Sequence, residues 1–178
     1  MGEKKNIILC GFMATGKSSV GQRLAAMLGR DFVDLDSWIE SEAGMPIPRI
    51  FSTLGEPAFR ALEVRMVERV AERTGCVVAA GGGAIVNPKN LEALKRSGIV
   101  ITLTADPETI LSRVGTGDDR PLLRGEGKAE RIRLLMAQRE EAYAKADMIV
   151  DTSSMSIEEV ARHILSLLEE RAGSQGAG

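Results

Sequence analysis

Residues 11–18 read Gly-Phe-Met-Ala-Thr-Gly-Lys-Ser, a complete G-x-x-x-x-G-K-[ST]. Its glycines let successive backbone N–H groups curl around phosphate oxygens, and the helix opening behind them adds its partial positive charge. Lys17 is then placed for β- and γ-phosphates and the Ser18 hydroxyl for Mg²⁺. Gly11, Met13, Ala14, Thr15, Gly16 and Ser19 complete the phosphate-binding set. Asp34 and Asp36 follow in VDLDSW. A spacing of two puts both carboxylates on one face at the carboxyl tip of a strand, the edge where open α/β sheets bind ligands. One could hold a metal's water shell and the other accept a hydrogen bond from an acceptor hydroxyl. Asp36 would serve equally as the cap of a helix beginning near Trp38.

Further along, GEPAFRALE puts Arg60 and Glu63 three apart on a helix, where the carboxylate can orient the guanidinium. Gly81, Gly82 and Gly83 end an apolar run and permit close approach of backbone to a ligand. Arg120 lies in a long, glycine-rich segment, Arg113–Glu130, whose arginines favour a functional loop over a plain linker. Arg139 sits on the helix that follows. Several arginines facing one crevice suit a ligand that is anionic at more than one point.

Positioning these residues requires strands that end near one another. NIILC (6–10), FVDLD (32–36), CVVAA (76–80), IVITL (99–103) and MIV (148–150) are short apolar runs separated by helical patterns. Such alternation predicts an α/β fold with a parallel sheet covered on both faces. Val20, Leu24, Met27 and Leu28 give the first helix its apolar face, closed by Gly29, and Ile157, Val160, Ile164 and Leu168 line the last. His163 falls off that stripe and reads as a surface residue. Trp38 is as suited to packing as to sensing a ligand. We expect one domain over 1–171 and a disordered tail over 172–178.

Composition narrows the function. The 178 residues are 44% hydrophobic and 27% charged, with a net charge of −2 and two cysteines. Near-neutral charge argues against nucleic-acid binding, and no apolar run is long enough for a membrane span. Two cysteines in strand-like runs suit a reducing, cytoplasmic compartment.

From about Asn6 to Leu168 the chain resembles the shikimate kinases, through GFMATGKSSVGQRLA, FVDLDSWIE, GMPIPRIF, GEPAFRALE, GGGAIV, RPLL and QREEAY. The resemblance implies a three-layer P-loop kinase of the nucleoside-monophosphate-kinase type, with five parallel strands in the order 2-3-1-4-5. It also implies substrate-binding helices at about 36–63 and a lid at about 115–126. The implied reaction moves the γ-phosphate of ATP to the 3-hydroxyl of shikimate, on the way to chorismate and the aromatic amino acids. By the same resemblance Asp34 reaches Mg²⁺ through water and Asp36 holds the acceptor hydroxyl. Arg60, Arg139 and backbone around Gly82 clamp the substrate. Arg120 arrives with the lid to meet the transferring phosphate. Phe51, Phe59, Pro121 and Leu122 line the ring pocket or its closure, and Arg113 lies against the adenine. The expected partners are these small molecules, with no nucleic acid and no membrane, and the expected state is a monomer. The chain departs from the family at Ala14-Thr15, where a Gly-Ala or Gly-Ser pair is usual, at Ala80 in place of threonine, and at Ile157 in place of proline. A gluconate- or nucleotide-type kinase, or a non-catalytic nucleotide-binding module, are the rival readings.

Overall fold

The computed structural model describes residues 5–114 and 127–175. Five strands form one parallel sheet: β1 (Asn6–Gly11), β2 (Phe32–Asp34), β3 (Val77–Ala79), β4 (Gly98–Thr104) and β5 (Met148–Asp151), in the order β2-β3-β1-β4-β5. That is the three-layer architecture and strand order expected. The helices are α1 (Lys17–Leu28), α2 (Leu35–Ala43), α3 (Ile47–Thr53), α4 (Gly55–Ala71), α5 (Pro88–Ser97), α6 (Pro107–Val114), α7 (Lys128–Ala144) and α8 (Ile157–Gln175). A short 3₁₀ turn spans Ala84–Val86.

The central strand explains the layering. Every residue of β1 is buried, and successive side chains enter opposite faces. Ile8 and Cys10 pack with Met66, Val70, Leu94 and Ile132, from α4, α5 and α7. Ile7 and Leu9 pack with Val20 and Leu24 of α1 and Val160 and Ile164 of α8. Leu24 is wholly buried, and each such side chain stabilises the fold by about 1.5–3 kcal/mol relative to exposure. Gly11 ends β1 at φ 129°, with a Cβ there falling 2.1 Å from the Leu103 carbonyl oxygen, so only glycine lets the chain leave the sheet here.

Three expectations shift. The second strand stops at Asp34 because that side chain accepts from the Asp36 and Ser37 N–H groups, at 3.0 and 3.3 Å, and starts α2 two residues early. Asp34 is therefore the cap, Asp36 belongs to the helix's first turn, and the two do not share a strand face. Ile157 is 47% exposed at the start of α8, whose buried stripe is Val160, Ala161 and Ile164. Helix α8 also runs through Gln175, so a tail beginning at 172 would start inside it. The lid segment lies outside the described residues. Helices α2, α3 and α4 cover the stretch where substrate-binding helices are expected. His163 is exposed, and Cys10 and Cys76 are both buried free thiols. Trp38 packs against the core beneath Arg69 and Arg73.

Candidate active site

The loop between β1 and α1 is built for an anion. Gly16 begins α1 without any side-chain cap, and the first turn holds no acidic residue. The leading N–H groups of a helix lack intrahelical partners, and here no carboxylate competes for them. Thr15 Oγ1 and Lys17 Nζ each donate to the Phe12 carbonyl over 2.8 Å, drawing the loop closed and holding the ammonium across it. Ser18 Oγ donates to Asp34 Oδ2 at 2.6 Å, linking the loop to the tip of β2. Ser19 is exposed on α1.

Beside the loop lies a cavity of about 370 Å³. Met13, Asp34 and Asp36 face it from the loop side, and Gly81, Gly82 and Gly83 form its floor. Phe51, Phe59, Arg60 and Arg139 also line it. The structure thus brings together nearly every acceptor-side residue singled out in the sequence. The Phe51 and Phe59 rings meet at 4.8 Å between centroids, and the Arg60 guanidinium lies 5.1 Å from the Phe59 centroid. Arg60 bonds Glu63 at 3.0 Å, three residues on, and Glu56, four residues back, at 3.0 Å. Glu63 is buried, and Oε1 has no partner among the described residues. Burial pushes its carboxyl above the ordinary range, partly offset by the Arg60 charge. The glycines are needed here for closeness: a Cβ on Gly81 would stand 2.8 Å from Asp36 Oδ1, and one on Gly83 2.5 Å from Arg60 Nη1.

Arg139 and Tyr143, one helical turn apart on α7, both donate to the Gly82 carbonyl, at 3.1 and 2.5 Å. Arg139 also lies 5.7 Å from the Phe12 centroid, so the arginine side touches the phosphate loop. On the loop's other flank Arg113 donates to the Ala14 carbonyl at 3.3 Å and to Thr152 through both Nη atoms. Arg120, Pro121 and Leu122 lie outside the described residues.

Some participants escaped the sequence reading. Ile47 and Pro48 line the cavity from α3, and Glu40 accepts from the Ile47 N–H at 2.9 Å, tying α2 to α3. PIPRIF carries apolar residues without the period of a longer helix, so beyond the family match of GMPIPRIF its pattern does not announce this wall. Thr152 and Tyr143 act across 39 and 61 residues, and no local spacing announces either.

The shikimate kinase family model matches residues 13–169. The chain belongs to the shikimate kinase family. A shikimate kinase of Geobacter metallireducens is 46% identical over 167 residues, 94% of this chain and 93% of that protein. The solved shikimate kinase from Acinetobacter baumannii, in complex with shikimate, superposes with a TM-score of 0.91 at 37% identity over 94% of both chains. A gluconokinase from Sinorhizobium meliloti shares the fold, with a TM-score of 0.65 at 19% identity over 98% of this chain and 97% of that one.

Proposed function

We propose that this shikimate kinase family member transfers the γ-phosphate of ATP to the 3-hydroxyl of shikimate, with the phosphates on the 11–18 loop and shikimate in the adjoining cavity. The observation that carries the reading is that one cavity is lined together by Met13 of the phosphate loop, by Asp34 and Asp36, and by Arg60 and Arg139. The division of labour follows from chemistry. Arg60 and Arg139 receive the carboxylate, with N–H groups at Gly82 and Gly83 beside them. Phe51 and Phe59 give the ring an apolar wall. Asp36 accepts a hydrogen bond from the attacking hydroxyl and keeps it in line, since positioning and electrostatics supply most of the catalysis in phosphoryl transfer. Lys17 moves from the Phe12 carbonyl to the β- and γ-phosphate oxygens. Arg113 flanks the adenine side, and Arg120 meets the transferring group from the lid.

Ser18 and Asp34 suit Mg²⁺. They offer hard oxygen donors in contact at 2.6 Å, and a magnesium ion that keeps most of its waters needs only one or two protein groups beside the phosphates. Among the described residues no group of three His, Cys, Asp or Glu side chains is arranged to hold a metal ion by itself. When bound, the ion would neutralise charge on the phosphate oxygens. The free thiols support a cytoplasmic setting, and no described helix is long and apolar enough to cross a membrane.

An ADP-release assay with Mg-ATP over shikimate, gluconate and nucleoside monophosphates tests the reading. Turnover with shikimate alone is expected. Turnover with another acceptor would transfer the chain to a sister activity, and nucleotide binding with no turnover at all would make it a regulatory module.

A further inference from the structure

We propose that Tyr143 is a positioning residue: its hydroxyl, with Arg139, fixes the Gly82–Gly83 peptide so that an N–H and not a carbonyl faces the shikimate side. The proposal rests on the assignment of that cavity to shikimate. In a planar trans peptide the C=O and the following N–H point in opposite directions. Holding the Gly82 carbonyl toward α7 therefore turns the Gly83 N–H away from α7. Gly81, Gly82 and Gly83 have no Cβ among them to choose between the two orientations of this peptide. Hydrogen bonds must choose, and the two donors on one carbonyl do so. No main-chain acceptor among the described residues pairs with the Gly82 or Gly83 N–H. With the peptide reversed, a carbonyl oxygen would meet an anionic ligand.

Tyr143 is itself anchored. Its main-chain carbonyl accepts from Thr102 Oγ1 at 2.9 Å, and Cys10 Sγ lies 3.2 Å from the same hydroxyl. The phenol is thus registered against β4 and β1, and through them against the phosphate loop. Burial raises its pKa to about 12, so the group remains a donor throughout the working range of pH. Without it Arg139 alone must hold the carbonyl, and the peptide loses the second donor that fixes its orientation.

Tyr143→Phe removes one hydroxyl and leaves the ring. The shikimate KM is expected to rise about tenfold, the effect of one lost hydrogen bond, with kcat and the ATP KM within about twofold. An unchanged shikimate KM overturns the proposal, as does an equal loss in every parameter. Combined with Arg139→Lys, the effect is expected to fall short of the product of the two single effects, since both donors act on one carbonyl. A full product overturns it too. Tyr143 is the sole tyrosine. Should the Phe variant not fold, protein grown on 3-fluorotyrosine carries a single ¹⁹F reporter. Its resonance is expected to move on saturation with shikimate and not with ADP, and a resonance unmoved by shikimate refutes the role. Arg60→Ala separates the two levels. If it leaves the shikimate KM unaltered, the cavity assignment fails; if it raises KM while Tyr143→Phe does not, the peptide role alone fails.

Discussion

Two neighbouring glycines should divide substrate capture from phosphate transfer. In Gly83→Ala the new Cβ would stand 2.5 Å from Arg60 Nη1 and 3.0 Å from Nη2. Ordinary contact begins near 3.4 Å, so the guanidinium must retreat by about 1 Å, a displacement large enough to misplace a ligand clamp. The backbone at Gly83, φ −105° and ψ −6°, suits alanine, and the obstructed atoms end a long side chain. Folding is therefore spared while the clamp is moved. The retreat loosens the 3.0 Å bond to Glu63. A charge-assisted bond contributes about 1.5–3 kcal/mol, but Arg60 is 32% exposed and solvent screening favours the lower end. A loss near 1.4 kcal/mol is about tenfold in the shikimate KM. Gly81→Ala acts elsewhere, since its Cβ would press on Asp36 Oδ1 at 2.8 Å and touch Glu63 Oε1 at 3.4 Å. Asp36 sits on the first turn of α2 facing the cavity, and displacing its carboxylate would misplace the acceptor hydroxyl, so kcat should fall about 10- to 100-fold with a smaller change in KM. Steady-state ADP release, titrating each substrate with the other saturating, measures both. A Gly83→Ala shikimate KM within about twofold of the parent, or both variants affecting the same parameter, refutes the reasoning.

Three further outcomes are expected. Ala14 is held at φ 59°, the one non-glycine residue at positive φ among those described. Ala14→Gly relieves about 1–2 kcal/mol of left-handed strain against about 0.4–1 kcal/mol of added unfolded-chain freedom. Calorimetry should show Tm higher by about 1–4 °C, and a lower Tm contradicts the strain. Burial raises the Cys10 thiol from 9.0 to about 11 and the Tyr143 phenol from 10.0 to about 12. Both protons leave the unfolded chain first, so their stabilisation is complete below pH 9 and is lost as pH rises from 9 to 12. The loss is about 3 kcal/mol for each group, read from urea midpoints across that range; a flat profile contradicts it. On the proposed lid role, Arg120→Ala should lower kcat by at least about 100-fold while the shikimate Kd stays within a few-fold, because that role calls on its charge only as phosphate transfers. Equal losses in both would remove it from that role.

The features legible in the sequence were those written locally. The phosphate loop has fixed spacing, and apolar runs buried on both faces announce a parallel sheet. VDLDSW was ambiguous because an Asp side chain competes with the strand ladder by taking the next helix's N–H groups. Here the cap won at Asp34, and Asp36 reached the cavity from a helix instead of a strand tip. Ile157 fits a helical period, but at the first position of α8 it meets no neighbouring layer. The grip on Gly82 depends on α7 docking beside the turn after β3, a tertiary relation that no window of sequence contains.

Phe12 gives the molecule a shared wall. Its carbonyl holds the Lys17 ammonium while its ring lies beneath the Arg139 guanidinium. In the proposed function, a nucleotide that drew the lysine away would alter the backbone at the root of that ring, and an acid settling against the arginine would bear on the same residue. Any energetic cross-talk carried by this residue would be reciprocal by necessity. Affinity for either compound, measured with the other present, is therefore a property of the pair.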